Sequence, residues 1–491
     1  MNVERNLPIV RERKNAILKG DPELCAEQKK AGKLLARERI ALLLDAASFV
    51  ELDVLNANAG VVTGYGTVQG SPVYVYAQDV TVNGGAVGAA HARKVLKVMD
   101  MAEKTGCPVI GILDTAGARL DEGVDALNAY AMIAGRVSKL SGVVPQISLV
   151  LGQCGGVASA IAGMTDITVM SENGALFVNG PMVVSALAGK QISMETLAGT
   201  QAATRAGIAQ LTAKTDEEAI ALARKLVGML PVNNMDEAVS ECLDDVNREL
   251  VELNQVDQAD DVHSLIRSIV DGGDFIELDA DFAPSMVTAL AKIGGSTVGF
   301  IANQSSKDEG RLTVYGCKKA ARFMSFLDCF SIPAITIVDS MGMKVSTAPQ
   351  GELARNAAQL LSAMTQATNV RVALIAGNAV GMSYAALASR AASDVVYAWP
   401  GAVVSAVTPK IAAQLNYEDE LKSAEDPYSK REELEKRYMD DVADGVHAAV
   451  KGYVDDVIEP AQTRQMLAAA LEMLSGKREV NPARKHGNMP L

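Results

Sequence analysis

Aromatic side chains supply only 4% of the 491 residues, with a single tryptophan. That scarcity argues against an aromatic-rich all-β sandwich. The hydrophobic fraction is nonetheless 49%, and an Ala-, Val-, Gly- and Leu-rich interior suits helices packed closely on sheets. Histidine is scarce too. His91, His263, His447 and His486 are scattered, so a metal cluster is not expected. Cysteine occurs at positions 25, 107, 154, 242, 317 and 329 without a CxxC pair, which reads as mostly buried free thiols in a reducing cytoplasm. No apolar run reaches the ~18–20 residues of a membrane span. The opening Met1-Asn-Val-Glu-Arg-Asn-Leu-Pro8 has no apolar leader. Basic residues are in deficit, 46 against 59 acids, for a net charge of −13. Such a chain is a poor binder of nucleic acid or of anionic membrane. There is no P-loop, no GxGxxG opening a helix, no GxSxG elbow and no HExxH. No serine or cysteine triad can be assembled.

What is present is a repeat. Gly70 and Gly295 lie 225 residues apart (295 − 70), as do Gly85 and Gly310, Pro108 and Pro333, Asp114 and Asp339, Gly117 and Gly342, Gly152 and Gly377, and Gly156 and Gly381. Gly and Pro dominate the matches, and these types report backbone geometry rather than surface chemistry. A gapless series over roughly ninety residues indicates duplication, and a period this long means two domains. The expected domains are 1–250 and 251–491. The acid-rich stretch 235–261 is read as a solvated linker or surface helix near their junction. Residues 416–440 are read as an exposed charged helix with an i,i+4 pair of Glu432 and Lys436.

The order of elements is the same in each copy. A strand pair includes Val73–Ala77 and, in the second copy, Val298–Ala302. A helix follows with Val95, Val98, Met99 and Ala102 on one face. Pro108 and Pro333 open the short apolar strands 109–113 and 334–338. Further strands, 147–151 and 372–375, each run into a glycine-containing turn and an Ala-rich helix. Strands alternating with helices give an α/β class with parallel crossovers.

Those two strand–turn–helix segments are the main candidates for chemistry: Gly152-Gln-Cys-Gly-Gly-Val-Ala-Ser159 and Gly377-Asn-Ala-Val-Gly-Met-Ser383. The first N–H groups of a helix lack an intrahelical partner and lie at its positive end. Two of them aimed at one point form an oxyanion hole. The competing reading is a tight turn with glycine for packing alone. The loop Asp114–Arg119, at the carboxyl end of a strand, is a second candidate, with Arg119 available for phosphate or engaged in a structural salt bridge. Gly342-Met-Lys344-Val resembles a biotin attachment motif but follows a strand end rather than a hairpin, so attachment there is not expected.

Several stretches carry a family resemblance. They are Gly32-Lys-Leu-Leu-Ala-Arg-Glu-Arg-Ile-Ala-Leu-Leu-Leu-Asp45, Val62-Thr-Gly-Tyr-Gly-Thr67, Gln78-Asp79, Gly84-Gly85, Gly117-Ala-Arg119, Tyr397-Ala-Trp-Pro400 and Gly452-Tyr-Val-Asp-Asp-Val-Ile-Glu-Pro460. From about Gly32 to Arg464 the chain resembles the acyl-CoA carboxyltransferases. These are the β-type subunits of propionyl-CoA and related biotin-dependent carboxylases and the α subunits of sodium-pumping decarboxylases. The resemblance implies two tandem crotonase-like (ClpP/crotonase spiral) domains, acyl-CoA on the N-terminal copy and biotin on the C-terminal copy of a neighbouring subunit. It also implies a first oxyanion pair at Gly156 and Val157 and a second at Met382 and Ser383. Gln78, Asp79, Ala116, Gly117, Ala118, Arg119, Gly155 and Gly381 become the expected cofactor- and substrate-binding positions. The resemblance further implies that biotin on a separate carrier supplies the base, which would account for the missing triad.

The chain departs from the family pattern at its ligand-facing loops. Val157 and Met382 each stand where the family has glycine, and Ala385 where it often has an acid. The expected function is carboxyl transfer between biotin and a short-chain acyl-CoA, as a carboxylase component or as the α subunit of a decarboxylase pump. Expected partners are a biotin carboxyl carrier protein, a biotin carboxylase or a membrane β subunit, and further copies of the chain, typically a hexamer. The expected location is the cytoplasm, peripheral to a membrane complex in the decarboxylase case. A crotonase-type hydratase needs an acid near the first turn, and none lies between Gly152 and Thr165. A non-catalytic scaffold of the same fold is the rival from another class.

Overall fold

A computed structural model describes residues 3–242, 244–255, 261–347, 349–488 and 490. The chain divides into two compact units, 1–238 and 239–491.

In the first unit, helices α1 (Val3–Lys19), α2 (Pro22–Lys30) and α3 (Ala36–Leu43) precede the strands β1 (Val50–Leu52), β2 (Val61–Val68) and β3 (Ser71–Gln78). Then come α4 (Ala89–Thr105), β4 (Val109–Leu113), α5 (Val124–Leu140), β5 (Gln146–Val150), β6 (Gln153–Gly155), α6 (Val157–Met164), β7 (Ile167–Ser171) and β8 (Ala175–Phe177). The unit closes with α7 (Pro181–Ala188), α8 (Met194–Ala198), α9 (Thr200–Arg205), β9 (Leu211–Ala213) and α10 (Asp216–Val227). Seven strands form one sheet in the order β1-β2-β3-β4-β5-β7-β9. The β1–β2–β3 part is antiparallel and the rest parallel, while β6 and β8 make a separate parallel ladder. Every residue of β4, β5 and β7 is buried. Helices on both faces demand such strands; β4 accordingly reads as a continuous apolar run, while β5 and β7 also bury Ser148 and Thr168, whose hydroxyls are hydrogen-bonded to Thr165 and to Ala162 O. The α4 face carrying Val95, Val98, Met99 and Ala102 packs into this core.

The second unit repeats the plan. Its elements are α11 (Val262–Ile269), β10 (Phe275–Leu278), β11 (Met286–Ile293), β12 (Ser296–Asn303), α12 (Val314–Cys329), β13 (Ala334–Ser340), α13 (Gly351–Gln366) and β14 (Arg371–Val380). They continue with α14 (Met382–Leu387), β15 (Val395–Ala398), β16 (Val403–Ser405), α15 (Pro409–Asn416), α16 (Glu418–Ser423), α17 (Pro427–Tyr438), α18 (Gly445–Val450), β17 (Asp456–Val457) and α19 (Thr463–Leu474). The strand order is β10-β11-β12-β13-β14-β15-β17, with β16 paired to the end of β14. β14 does the work that β5 and β6 share in the first unit. The strand expected at 372–375 is therefore longer than its sequence signal. The lone Trp399 is fully buried in this core and donates its indole N–H to Thr463 Oγ1 at 3.0 Å.

The 225-residue register holds from β2, matched by β11, through Val157 and Met382, which open α6 and α14. Even the isolated bridge Val87–Ala118 recurs as Leu312–Met343. The helices α3 and α11 lie 226 apart (262 − 36), and each is followed by an aspartate that clamps the next hairpin. Asp45 accepts from the N–H groups of Gln69 and Gly70, and Asp271 from those of Gly294 and Gly295. In both cases an arginine, Arg224 or Arg464, pairs with the carboxylate.

The charged stretches and the cysteines compare with expectation as follows. The acid-rich stretch is largely irregular, with one 3-10 turn at Val251–Gln255; residues 243 and 256–260 lie outside the described residues. From Val239 onward it is part of the second unit, where Val239 bridges Ser296 and Ser240 N donates to Gly295 O. Residues 416–440 form two helices, because Asp426 caps a new one and Pro427 occupies its first turn. Its ion pairs include Lys430–Glu433 and Arg437–Glu420, and a Glu432–Lys436 pair is not among those of the described residues. All six cysteines are free. Cys107, Cys154 and Cys317 are buried, Cys25 and Cys242 are partly covered, and Cys329 is exposed.

Candidate active site

The loops that follow β3, β4 and β5 leave the same sheet edge, where parallel strands end. They are tied together by backbone hydrogen bonds. Ala116 N donates to Gly84 O at 2.8 Å, Val87 N to Gly117 O at 2.8 Å, Arg119 N to Val87 O at 3.0 Å, and Thr115 N to Gln153 O at 2.8 Å. Ala118 pairs with Val87 in the bridge between the first two loops. Gln78 is buried, and its side-chain oxygen accepts from Asp114 N at 3.0 Å. It therefore fixes the end of β4. Asp79 accepts from Thr81 and stands 4.0 Å from Arg37. Asp79 and Thr81 also line a cavity of about 180 Å³ with Leu35, Arg37, Asn58 and Lys94.

The first turn is built on Gly155 and Gly156. Gly155 pairs with Phe177 in the β6–β8 ladder. Gly156 has φ 62° and ψ −130°, and a side chain added there would meet nothing within 4 Å. Its counterpart Gly381 has φ 55° and ψ −115°. Both conformations are disfavoured for L side chains, which explains why glycine occupies both. Each then reverses the chain from a strand end into a helix.

The hydrogen bonds at the turns revise the donor assignment. Gly156 N donates to Phe177 O at 2.8 Å, and Gly381 N to Ser405 O at 2.8 Å. The Gly156 N–H is thus engaged, contrary to the expectation that it forms half of the first pair. No turn, loop or ladder bond among the described residues engages the N–H of Val157, Ala158, Met382 or Ser383. They open α6 and α14, where orphan donors belong. The candidate pairs become Val157 with Ala158 and Met382 with Ser383, which are in exact 225-residue register where the expected pairs were one residue out of step.

No side chain at the turns is poised as a nucleophile or base. Ser159 Oγ donates to Gly156 O at 2.7 Å, and Ser383 Oγ to Val380 O at 2.8 Å. Each hydroxyl proton is held by a carbonyl of its own turn. Burial, aided by the Asp114 charge, pushes the Cys154 thiol up to about 12. Burial holds the His91 imidazole down to about 3, and its Nδ1 stands 3.1 Å from Ala59 O. Among the described residues no group of His, Cys, Asp and Glu could hold a metal ion.

Arg119 pairs with Asp121 at 2.9 Å and Glu122 at 3.4 Å, so phosphate binding there requires an exchange of partners. Lys344, in register with it, pairs with Asp308 at 2.9 Å. Lys33, Gln28, Arg39 and Asp216, which sequence reading did not single out, support the loops from behind. Asp114 is buried among Lys33, Gln28 and Arg39, and Arg39 also pairs with Asp216. Lys33 and Arg39 lie within the Gly32–Asp45 stretch, which was their only signal. Asp216, 177 residues from Arg39, gave none. Glu122 accepts from Ala89 N at 2.6 Å and so secures the start of α4 to the Arg119 loop.

The carboxyl transferase domain model matches residues 27–489. The chain is 38% identical over 505 residues to the methylmalonyl-CoA decarboxylase subunit alpha of Propionigenium modestum, covering 98% of each chain. It is 39% identical to the propionyl-CoA carboxylase beta chain of Saccharopolyspora erythraea, covering 98% of this chain and 95% of the relative. The solved structure of transcarboxylase 12S, a hexamer assembly with methylmalonyl-coenzyme A bound, superposes with a TM-score of 0.95 at 36% identity. That match covers 100% of this chain and 99% of the other, and places both units in the crotonase-type α/β architecture.

Proposed function

The chain belongs to the carboxyl transferase family and is a carboxyltransferase, and on that footing we propose that it moves a carboxyl group between biotin on a separate carrier and a short-chain acyl-CoA. The observation that carries this reading is the pair of register-matched turns. Each presents two backbone donors beside no usable nucleophile or base.

The N–H groups of Val157 and Ala158 take the thioester oxygen of the acyl-CoA. Charge gathers on that oxygen when the acyl α-carbon becomes nucleophilic, and one such donor typically stabilises the transition state by about 3–4 kcal/mol. The N–H groups of Met382 and Ser383 take the ureido oxygen of biotin. The residues fit a neutral ureido group, because residues Val380–Ala385 include two donors and no charged side chain. When bound, biotin supplies the ring nitrogen that carries the carboxyl group. Arg119 takes a phosphate of CoA, and the Asp79 cavity lies along the same strand edge. Gly156 and Gly381 hold both turns open, which favours a working enzyme over a scaffold.

The first unit is assigned the acyl-CoA side and the second the biotin side. A complete site then needs a second copy, as in a hexamer. Exposed apolar residues support this: Val124 and Leu127 on α5, Val183 and Leu187 on α7, and Ile411 and Leu415 on α15. The expected partners are a biotin carboxyl carrier protein with a biotin carboxylase. The similarity to a decarboxylase alpha subunit supports a second reading, transfer in the opposite direction beside a membrane β subunit. No helix among the described residues is long and apolar enough to cross a membrane. A cytoplasmic location, peripheral in the decarboxylase case, suits either reading.

The test is transfer of labelled carboxyl from malonyl- or methylmalonyl-CoA to free biotin or a biotinylated carrier. Labelled carboxyl on biotin is the expected result. No transfer with any short acyl-CoA overturns the proposal.

A further inference from the structure

The first turn carries a side chain exactly where its backbone donates. Val157 is the first residue of α6, its N–H is one of the two orphan donors, and its side chain is 43% exposed. The neighbouring Gly156 opens onto empty space on the side where a side chain would stand, and so does Gly117 in the loop after β4. An oxygen accepting from Val157 N sits about 3 Å from that nitrogen. The Val157 Cβ is itself only about 2.5 Å from the same nitrogen. Groups on the carbon that bears such an oxygen therefore come within van der Waals reach of the valine methyls. A β-branched side chain in a helix has one strongly preferred rotamer, so this wall does not swing aside. The matching position in the second unit holds Met382, whose unbranched chain adapts to what it meets.

We propose that Val157 is the acyl-size determinant of the enzyme, a fixed wall beside the thioester carbon that admits acetyl and propionyl groups and disfavours longer ones. This rests on the carboxyl-transfer reading and on the Val157–Ala158 donor pair. Because the residue acts through its side chain while its N–H does the binding, trimming it changes selectivity without removing a donor.

The experiment measures kcat/KM of the full-length enzyme for acetyl-, propionyl-, butyryl- and hexanoyl-CoA in carboxyl transfer from carboxylated carrier. The proteins are wild type, Val157→Ala, Val157→Gly and Val157→Thr. One methylene in an apolar pocket discriminates by about 10–200-fold. The butyryl-to-propionyl ratio is thus expected to rise at least about tenfold in V157A, to rise in V157G as well, and to stay near wild type in the isosteric V157T. Since each ratio is taken on one protein, a change in helix stability cancels. A ratio within twofold of wild type in both V157A and V157G, at whatever absolute rate, overturns the proposal. Absence of transfer by the wild type with every acyl-CoA overturns the carboxyl-transfer reading instead. Loss of all activity in V157A also counts against the proposal, because it assigns the side chain a role beyond size.

Discussion

Asp114 and Asp339 occupy the same position in the two units, at the carboxyl end of a buried parallel strand, yet they are held in different ways. Asp114 sits among Lys33, Arg39 and Gln28, with Arg39 shared by Asp216. Asp339 accepts from the backbone and side-chain N–H groups of Asn378. The residue matching Arg39 is the buried Leu265. Nearby, Arg37 grips Glu51 with two nitrogens, and the matching pair is His263 with Glu277. The duplication has preserved backbone geometry while the interactions that hold it diverged. Ions can replace amides because either satisfies a buried carboxylate, whereas the combination of φ near 60° with ψ of −130° or −115° at Gly156 and Gly381 admits essentially only glycine.

The sharpest test of this difference is Arg39→Leu, which copies the second unit into the first. It takes the guanidinium away from the buried Asp216 and leaves Asp114 to Lys33 and Gln28, and should cost about 3–5 kcal/mol in denaturant unfolding. Asp339→Asn keeps an acceptor for Asn378 and should cost about 1 kcal/mol. Equal losses would show that the two carboxylates are held alike.

The buried lysines give the next largest effect. Lys94 donates to Val61 O, and Lys319 to the carbonyls of Asp279 and Phe282. Burial lowers both, and Lys319 falls to about 8. The folded protein then releases the Lys319 proton at lower pH than the unfolded chain, whose lysines titrate near 10.4. Stability should rise between about pH 8 and 10.4, by up to about 3 kcal/mol, and be lost as pH falls through 8. Lys319→Met should flatten that rise. A flat wild-type profile would remove the distinction.

A third test compares the turns. A side chain at Gly381 would come within 3.0 Å of Ala406 O as well as adopting positive φ, whereas one at Gly156 meets open space. Backbone strain alone is about 1–3 kcal/mol. Thermal unfolding should therefore place Gly381→Ala below Gly156→Ala, while both lose transfer activity. The smallest effect belongs to the serines. Ser159→Ala and Ser383→Ala each remove a hydrogen bond to a carbonyl, worth about 1 kcal/mol, and should slow transfer less than tenfold. A thousandfold loss in either would make that serine a catalytic group.

Much of this was readable along the chain. The duplication was visible because Gly70, Gly85, Gly156 and their partners answer to local backbone geometry, which a residue type reports directly. The amphipathic face of α4 was visible for the same reason. The junction within β14 was not, because strand length depends on β16 pairing with Asn378–Val380 from farther along the chain. The break before α17 did carry a signal, Asp426-Pro427, although the charge pattern masked it.

By itself the sequence determined two α/β units, their α-helix and strand order, and the positions of both turns. Those features follow from propensity and from the steric needs of single residues. Only the tertiary structure decided which N–H groups at each turn are available, since Phe177 O and Ser405 O engage Gly156 and Gly381. Only the fold, likewise, brought Arg39 to Asp216. A hydrogen bond or ion pair is set by proximity in space, and neither partner's residue type specifies the other.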